Sequence, residues 1–150
     1  MSSANQVLNT GQQAITNYNT AKIFIYNNRF QNETYINSGY VAVSIPAGTV
    51  MGRIGASQTI VPLVSTATDG SQYPVGILGC DLTNIAAGAS VGVTLCISGD
   101  VAQEQIVLQG SDTLKTLIGT SNRSIFDHIV SDTMGIKIVP TSELTQTDNQ

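Results

Sequence analysis

Apolar and polar residues alternate over short spans through the middle of the chain, with the period of strands rather than of helices. Val41-Ala42-Val43-Ser44-Ile45, Thr49-Val50-Met51-Gly52-Arg53-Ile54, Ile60-Val61-Pro62-Leu63-Val64, Val75 to Cys80 and Val91 to Ile97 are each rich in β-branched residues. Such runs, when bounded by turn formers, predict strands. Pro46-Ala47-Gly48, Asp69-Gly70, Ala87-Gly88-Ala89 and Ser98-Gly99-Asp100 supply the punctuation. Pro62 cannot donate to a ladder and so marks an edge or a strand end. Asp69, Gly70 and Gly76 are the structural turn positions. The Asp69 carboxylate holds its own turn, Gly70 tolerates positive φ, and Gly76 admits a close neighbour or a bulge.

The pattern changes on either side of this body. Met1 to Ala21 has no charged residue and almost no apolar periodicity; Val7, Leu8, Ile15 and Tyr18 are its only anchors. It reads as an N-terminal arm (residues 1–21) that cannot bury itself alone and orders on a partner, with a merely disordered tail as the alternative. Residues 22–40 hold five of the eight Phe and Tyr residues (Phe24, Tyr26, Phe30, Tyr35 and Tyr40). Ile23-Phe24-Ile25-Tyr26, Asn27-Asn28 and the following apolar residues predict a strand, a turn and a return strand. This aromatic hairpin is either a contact surface or a cap on the body's own core. Within the body, residues 41–140, two short helices are expected after the strands. One runs over Asp112 to Ile118, capped by Ser111. The other runs over Arg123 to Val130, capped by Ser121 or Asn122, with Ile125, Phe126, Ile129 and Val130 on one face. Ile136 to Val139 is a closing strand ended by Pro140, and residues 141–150 are a polar tail. The fold expected is mainly β with one or two short helices, a compact β-rich body behind an extended arm.

Composition narrows the function. Asn (11), Gln (11), Ser (14) and Thr (17) make up about a third of 150 residues, while charged residues are 11%. A surface wetted by amides and hydroxyls suits close packing against protein and gains little from electrostatic steering. The net charge is −4 and the six basic residues are scattered, which argues against nucleic acid as a partner. No leader-like start and no apolar run of membrane-spanning length is present, so synthesis in the cytoplasm and no membrane association are expected. The sequons at Asn32 and Asn122 then read as chance. Cys80 and Cys96 lack metal or redox spacing and sit in apolar runs, as buried thiols or, alternatively, a disulfide.

Catalytic motifs are sparse. Gly88-Ala89-Ser90-Val91-Gly92 matches the G-x-S-x-G expression, with His128 downstream, and so a small serine hydrolase using Ser90 is a remote alternative. The motif leads into a strand-like run, however, where that chemistry requires a turn into a helix. His128, the lone histidine, reads as a surface or helix-end residue. Asp81, Asp100 and Glu104 lack the spacing of a calcium loop, and no phosphate-cradling loop occurs. No catalytic residue, metal site or cofactor is expected.

Three phrases in order carry a family resemblance: Pro46 to Gly52, Thr68 to Leu78 and Gly99 to Val101, with Ile136 to Val139 as a C-terminal strand. Over residues 41–140 the chain resembles the lambda-type head decoration proteins of tailed bacteriophages. The resemblance implies a compact barrel-like or tulip-like body forming a homotrimer on threefold and quasi-threefold positions of the expanded capsid, bound to the major capsid protein on the outer virion surface. It implies reinforcement of the shell against internal DNA pressure, and an arm that is flexible until it pairs with capsid strands. Under that reading the capsid-binding residues are Val7, Leu8, Ile15 and Tyr18, then Ile23, Phe24, Ile25 and Tyr26. The segment 22–40 departs from the simplest members and would clamp the capsid or seat a head fibre or second decoration protein. A fibre- or tail-associated adaptor is the alternative structural role.

Overall fold

Eight strands and one helix build the computed structural model, which describes residues 23–140. In chain order they are β1 (Phe24–Ile36), β2 (Val43–Ile45), β3 (Val50–Arg53), β4 (Ile60–Pro62), β5 (Pro74–Leu78), β6 (Leu82–Ile85), β7 (Ser90–Ala102), α1 (Ile125–Asp132) and β8 (Ile136–Val139). Five of the strands close on themselves in the order β1-β4-β3-β5-β7, with β1 pairing back onto β7. Closure removes the free edges that an open sheet of this size would expose. β8 adds in parallel to β7 alongside Gly99–Ala102, and β2 pairs with β6 as a separate two-stranded sheet. The mainly β architecture is the one the alternation predicts, and the barrel agrees with the body the family resemblance implies.

Apolar side chains line both faces of the barrel sheet, because neighbouring residues on a strand point to opposite sides. Val50, Ile77 and Cys96 join one buried cluster with Leu63, Val101, Ile118, Ile125, Ile129 and Ile136. Their sequence neighbours Met51, Leu78 and Leu95 join the other, with Tyr35, Ile60 and Val93, and there Ile45 and Leu82 of the small sheet complete the cover. The second cluster thus receives a side chain from each of the five barrel strands.

The expected aromatic hairpin over 22–40 is instead one strand. β1 runs for 13 residues and pairs along the whole of β7. Asn27 does take positive φ (53°), and Gly99 opposite it takes φ 104°. These residues make an irregularity in the ladder, not a chain reversal. The register shifts between Phe24 and Phe30, and Asn28 Nδ2 bonds the Asp100 carbonyl at 3.0 Å across the gap. The same geometry explains why Ser98-Gly99-Asp100 does not turn: β1 bulges there, with Asn27 and Asn28 set against the single residue Gly99, and β7 continues to Ala102.

The helix expected over Asp112 to Ile118 does not form. Both Asp112 carboxylate oxygens are committed to Ser65, accepting from its N–H (2.9 Å) and its hydroxyl (2.7 Å). Thr116 Oγ1 accepts from the Thr113 N–H at 2.9 Å. Such local side-chain bonds offer the backbone an alternative to the helix. The second helix forms two residues later than expected, with Ser124 as its cap. Ser124 Oγ accepts from the Asp127 N–H at 3.2 Å, while Asn122 sits in a turn with φ 56°. Its buried face is Ile125, His128 and Ile129; Phe126 and Val130, expected on that face, are exposed.

Candidate functional site

The root of the N-terminal segment is fixed first. Ile23 and Phe24 are buried in the cluster that also holds Ile118, Ile125, Ile129 and Ile136, so the chain enters the body beside α1. Phe24 meets Phe30 edge to face, with ring centroids 5.2 Å apart. Ile23 and Phe24 were expected to touch a partner; in the structure each is 7% exposed and packed into the chain's own core, where apolar side chains gain by burial. Ile25 is half-buried and Tyr26 is exposed. Val7, Leu8, Ile15 and Tyr18 lie outside the described residues.

The other end of β1 leads into a short tip, residues 37–42, that carries the most exposed aromatic ring of the described chain. Tyr40 is 100% exposed and Val41 69%. The tip is nevertheless firmly held by Asn37, which is buried and uses every polar group it has. Its Nδ2 donates to the carbonyls of Val41 (2.8 Å) and Ile85 (2.9 Å), and its Oδ1 accepts from the Gly39 N–H (3.0 Å). Its backbone N–H donates to Ala89 O (3.0 Å) and its carbonyl accepts from the Gly88 N–H (2.7 Å). Sequence reading missed Asn37. The only sign of it was the Asn-Ser-Gly turn composition, which says nothing of a bond reaching Ile85.

Asp69 and its turn behave as local structure. The Asp69 carboxylate accepts from the Ser71 N–H at 3.0 Å and from the Ser71 hydroxyl, and these bonds hold it below the ordinary carboxylate range. Gly70 has φ 102°. A Cβ on Gly76 would stand 2.8 Å from the Cys96 carbonyl and 3.1 Å from Leu95 Cβ, so only glycine lets β5 and β7 approach there.

On the barrel wall, Arg53 grips Glu33 with both guanidinium nitrogens, at 2.6 and 3.1 Å, joining β3 to β1. Hydrogen bonding from Arg53 holds the Glu33 carboxyl below its ordinary range, against the opposing pull of burial. Two open, shallow depressions flank this pair, one beside Ser57, Gln58 and Thr59, the other beside Cys80, Gly92 and Thr94. Both thiols are free; Cys96 is buried and Cys80 half-buried.

His128, expected at the surface or at a helix end, is buried within α1 instead. It is 5% exposed, with Nδ1 2.6 Å from Asp132 Oδ2, Nε2 3.0 Å from Ser121 Oγ, and the Tyr73 ring packed on it. The connectivity is that of a Ser-His-Asp triad, but the protons run the wrong way. Ser121 Oγ lies 2.7 Å from the Ile118 carbonyl and donates its one proton there, while the Arg123 N–H approaches the same oxygen at 3.3 Å. A nucleophilic serine must give its proton to the imidazole, whereas the Ser121 hydroxyl donates to a backbone carbonyl. The group is a lock between the 118–124 turn and α1. Ser90, in the G-x-S-x-G match, opens β7 opposite Ile36 and has no helix after it. Among the described residues no group of three His, Cys, Asp or Glu side chains could hold a metal ion, and no helix is long and apolar enough to cross a membrane.

The family model for the bacteriophage lambda head decoration protein D matches residues 12–117. The match contains all five barrel strands and stops before α1 and β8. It starts and ends earlier than the resemblance read over residues 41–140, since it takes in β1 and excludes the C-terminal strand. No curated protein matches the chain.

Proposed function

The chain belongs to the bacteriophage lambda head decoration protein D family, a family of structural phage head proteins, and we propose that it cements the expanded head as a trimer. Its place is the virion capsid, and its role there is decoration. On our reading, copies sit at threefold and quasi-threefold positions on the outer surface, bind the major capsid protein, and brace the shell against the pressure of packaged DNA. The observation that carries this is the family match across the whole closed barrel. The surface chemistry supports it. Packing against protein needs few charges, and the chain has 11%.

The N-terminal segment would supply reach. An extended, uncharged backbone can add to a sheet edge through main-chain bonds, with Val7, Leu8, Ile15 and Tyr18 as its apolar anchors. Three such segments on one trimer would act together, because each later contact is effectively intramolecular. Deleting residues 1–21 is expected to weaken head binding at least tenfold while leaving the oligomeric mass unchanged; unchanged affinity would remove the arm from the mechanism. Bracing itself is tested by heating DNA-filled heads with and without the bound protein and following DNA release with a dye. Decorated heads should hold their DNA to a higher temperature. Identical release curves would contradict the cementing role.

A further inference from the structure

The 37–42 tip has three properties that do not arise from folding. Tyr40 is wholly exposed, so it contributes nothing to the chain's own core. The loop that carries it is pinned by five hydrogen bonds of Asn37, so its conformation is set before any partner arrives. It also stands in a region without charge. No Asp, Glu, Lys, Arg or His occurs between Thr34 and Gly52, or between Leu82 and Gly99, the two stretches that meet at this end of the barrel through the β2–β6 pairing and the Asn37 bonds. A rigid, exposed tyrosine in a charge-free surround matches the anchors that carry most of the energy at protein interfaces, where pre-organisation reduces the entropic cost of docking.

Position supplies the partner. β1 begins beside α1, where the N-terminal segment enters, and ends at the tip; its 13 residues span on the order of 40 Å at about 3.3 Å each. A copy that joins shell subunits needs attachment points set well apart, and the two ends of β1 provide them. The tip also lies inside the family-matched span 12–117, where Tyr40 is the most exposed large apolar side chain of the described residues, ahead of Tyr26 at 72%. We propose that Tyr40, presented by the Asn37-pinned tip, docks into an uncharged apolar pocket on the phage shell protein, giving each copy a second grip remote from its N-terminal segment. The inference rests on the decoration role and adds to it a defined contact.

The test titrates the full chain and two variants, Tyr40→Ala and Met134→Ser, onto purified expanded heads, with the sedimentation mass of each free protein measured at matched concentration. Both side chains are exposed, so both variants should melt like the parent. Tyr40→Ala should bind at least tenfold more weakly, with Met134→Ser within twofold of the parent and all three free proteins of equal mass. Binding of Tyr40→Ala within twofold of the parent would overturn the proposal while leaving the decoration role standing. A lower mass for free Tyr40→Ala would also overturn it, because the tip would then contact a second copy of this chain. Failure of the parent itself to bind heads would defeat the decoration reading first, and this inference with it.

Discussion

Replacing Gly99 by alanine should destabilise the barrel more than any other single methyl group added to β7. Gly99 holds φ 104° opposite the Asn27-Asn28 bulge of β1, and an added Cβ would stand 2.6 Å from the Asn27 carbonyl oxygen and 2.7 Å from Asn28 Cα. Positive φ costs an L-residue about 1–2 kcal/mol. Forcing a methyl group into packed backbone costs about 1–3 kcal/mol more, because neither contact is the free end of a side chain. The expected loss is therefore about 2–5 kcal/mol, a large share of the roughly 5–15 kcal/mol that holds a typical domain together. Gly92 provides the internal comparison: it lies on the same strand with nothing within 4 Å of its Cβ position. Gly92→Ala should be neutral or stabilise by up to about 1 kcal/mol, since alanine has less freedom to lose on folding. Urea denaturation followed by circular dichroism measures both. Equal stability of the two variants would refute the bulge account of how β1 and β7 fit together.

Three further outcomes follow from the geometry. Asn37→Ala should cost about 1–3 kcal/mol, because the carbonyls of Val41 and Ile85 lose their shared donor; an unchanged urea midpoint would show the tip to be held by something else. Glu33→Gln should lower stability by about 1–2 kcal/mol near neutral pH. The folded Glu33 carboxyl sits below its ordinary 4.5, so its contribution is full above that value and is lost as pH falls through the folded pKa; a gap between parent and variant that persists at about pH 2 would contradict the Arg53 assignment. Burial pushes the Cys96 thiol up, against weaker opposing bonds from Asn28 and Ser98. A thiol reagent at mildly alkaline pH should therefore label Cys80 first in the native protein, and fast labelling that survives Cys80→Ser would show Cys96 to be open.

Strand content was legible in the sequence because period-2 alternation and turn residues are local signals, and the body's strands fall within or beside the runs that display them. Continuity was harder to read. Asn27-Asn28 and Gly99 look like turns in isolation, and only their placement opposite each other across two 13-residue strands makes them a paired bulge. Asp112 to Ile118 carries a helical spacing of leucines, yet the Asp112 bond to Ser65 spans 47 residues and leaves no trace in composition. His128 presents the same difficulty: a lone histidine gives no warning that Ser121 and Asp132 will bracket it. Ile23 and Phe24 share the apolar character of a contact patch, and what decides between partner and core is the buried cluster that encloses them. The aromatic richness of residues 22–40 was visible, but not that one ring, Tyr40, would be left wholly free while Tyr35 went into the core.

The central claim is that this chain decorates the outside of a phage head after the shell has expanded. Its most direct test is cryo-electron microscopy of the encoding phage's heads, expanded and unexpanded, incubated with the purified full chain. The account predicts added density on the outer surface of expanded heads only, at threefold and quasi-threefold positions, in clusters of three barrels. Density confined to a tail or a vertex, or equal occupancy of unexpanded heads, would contradict it.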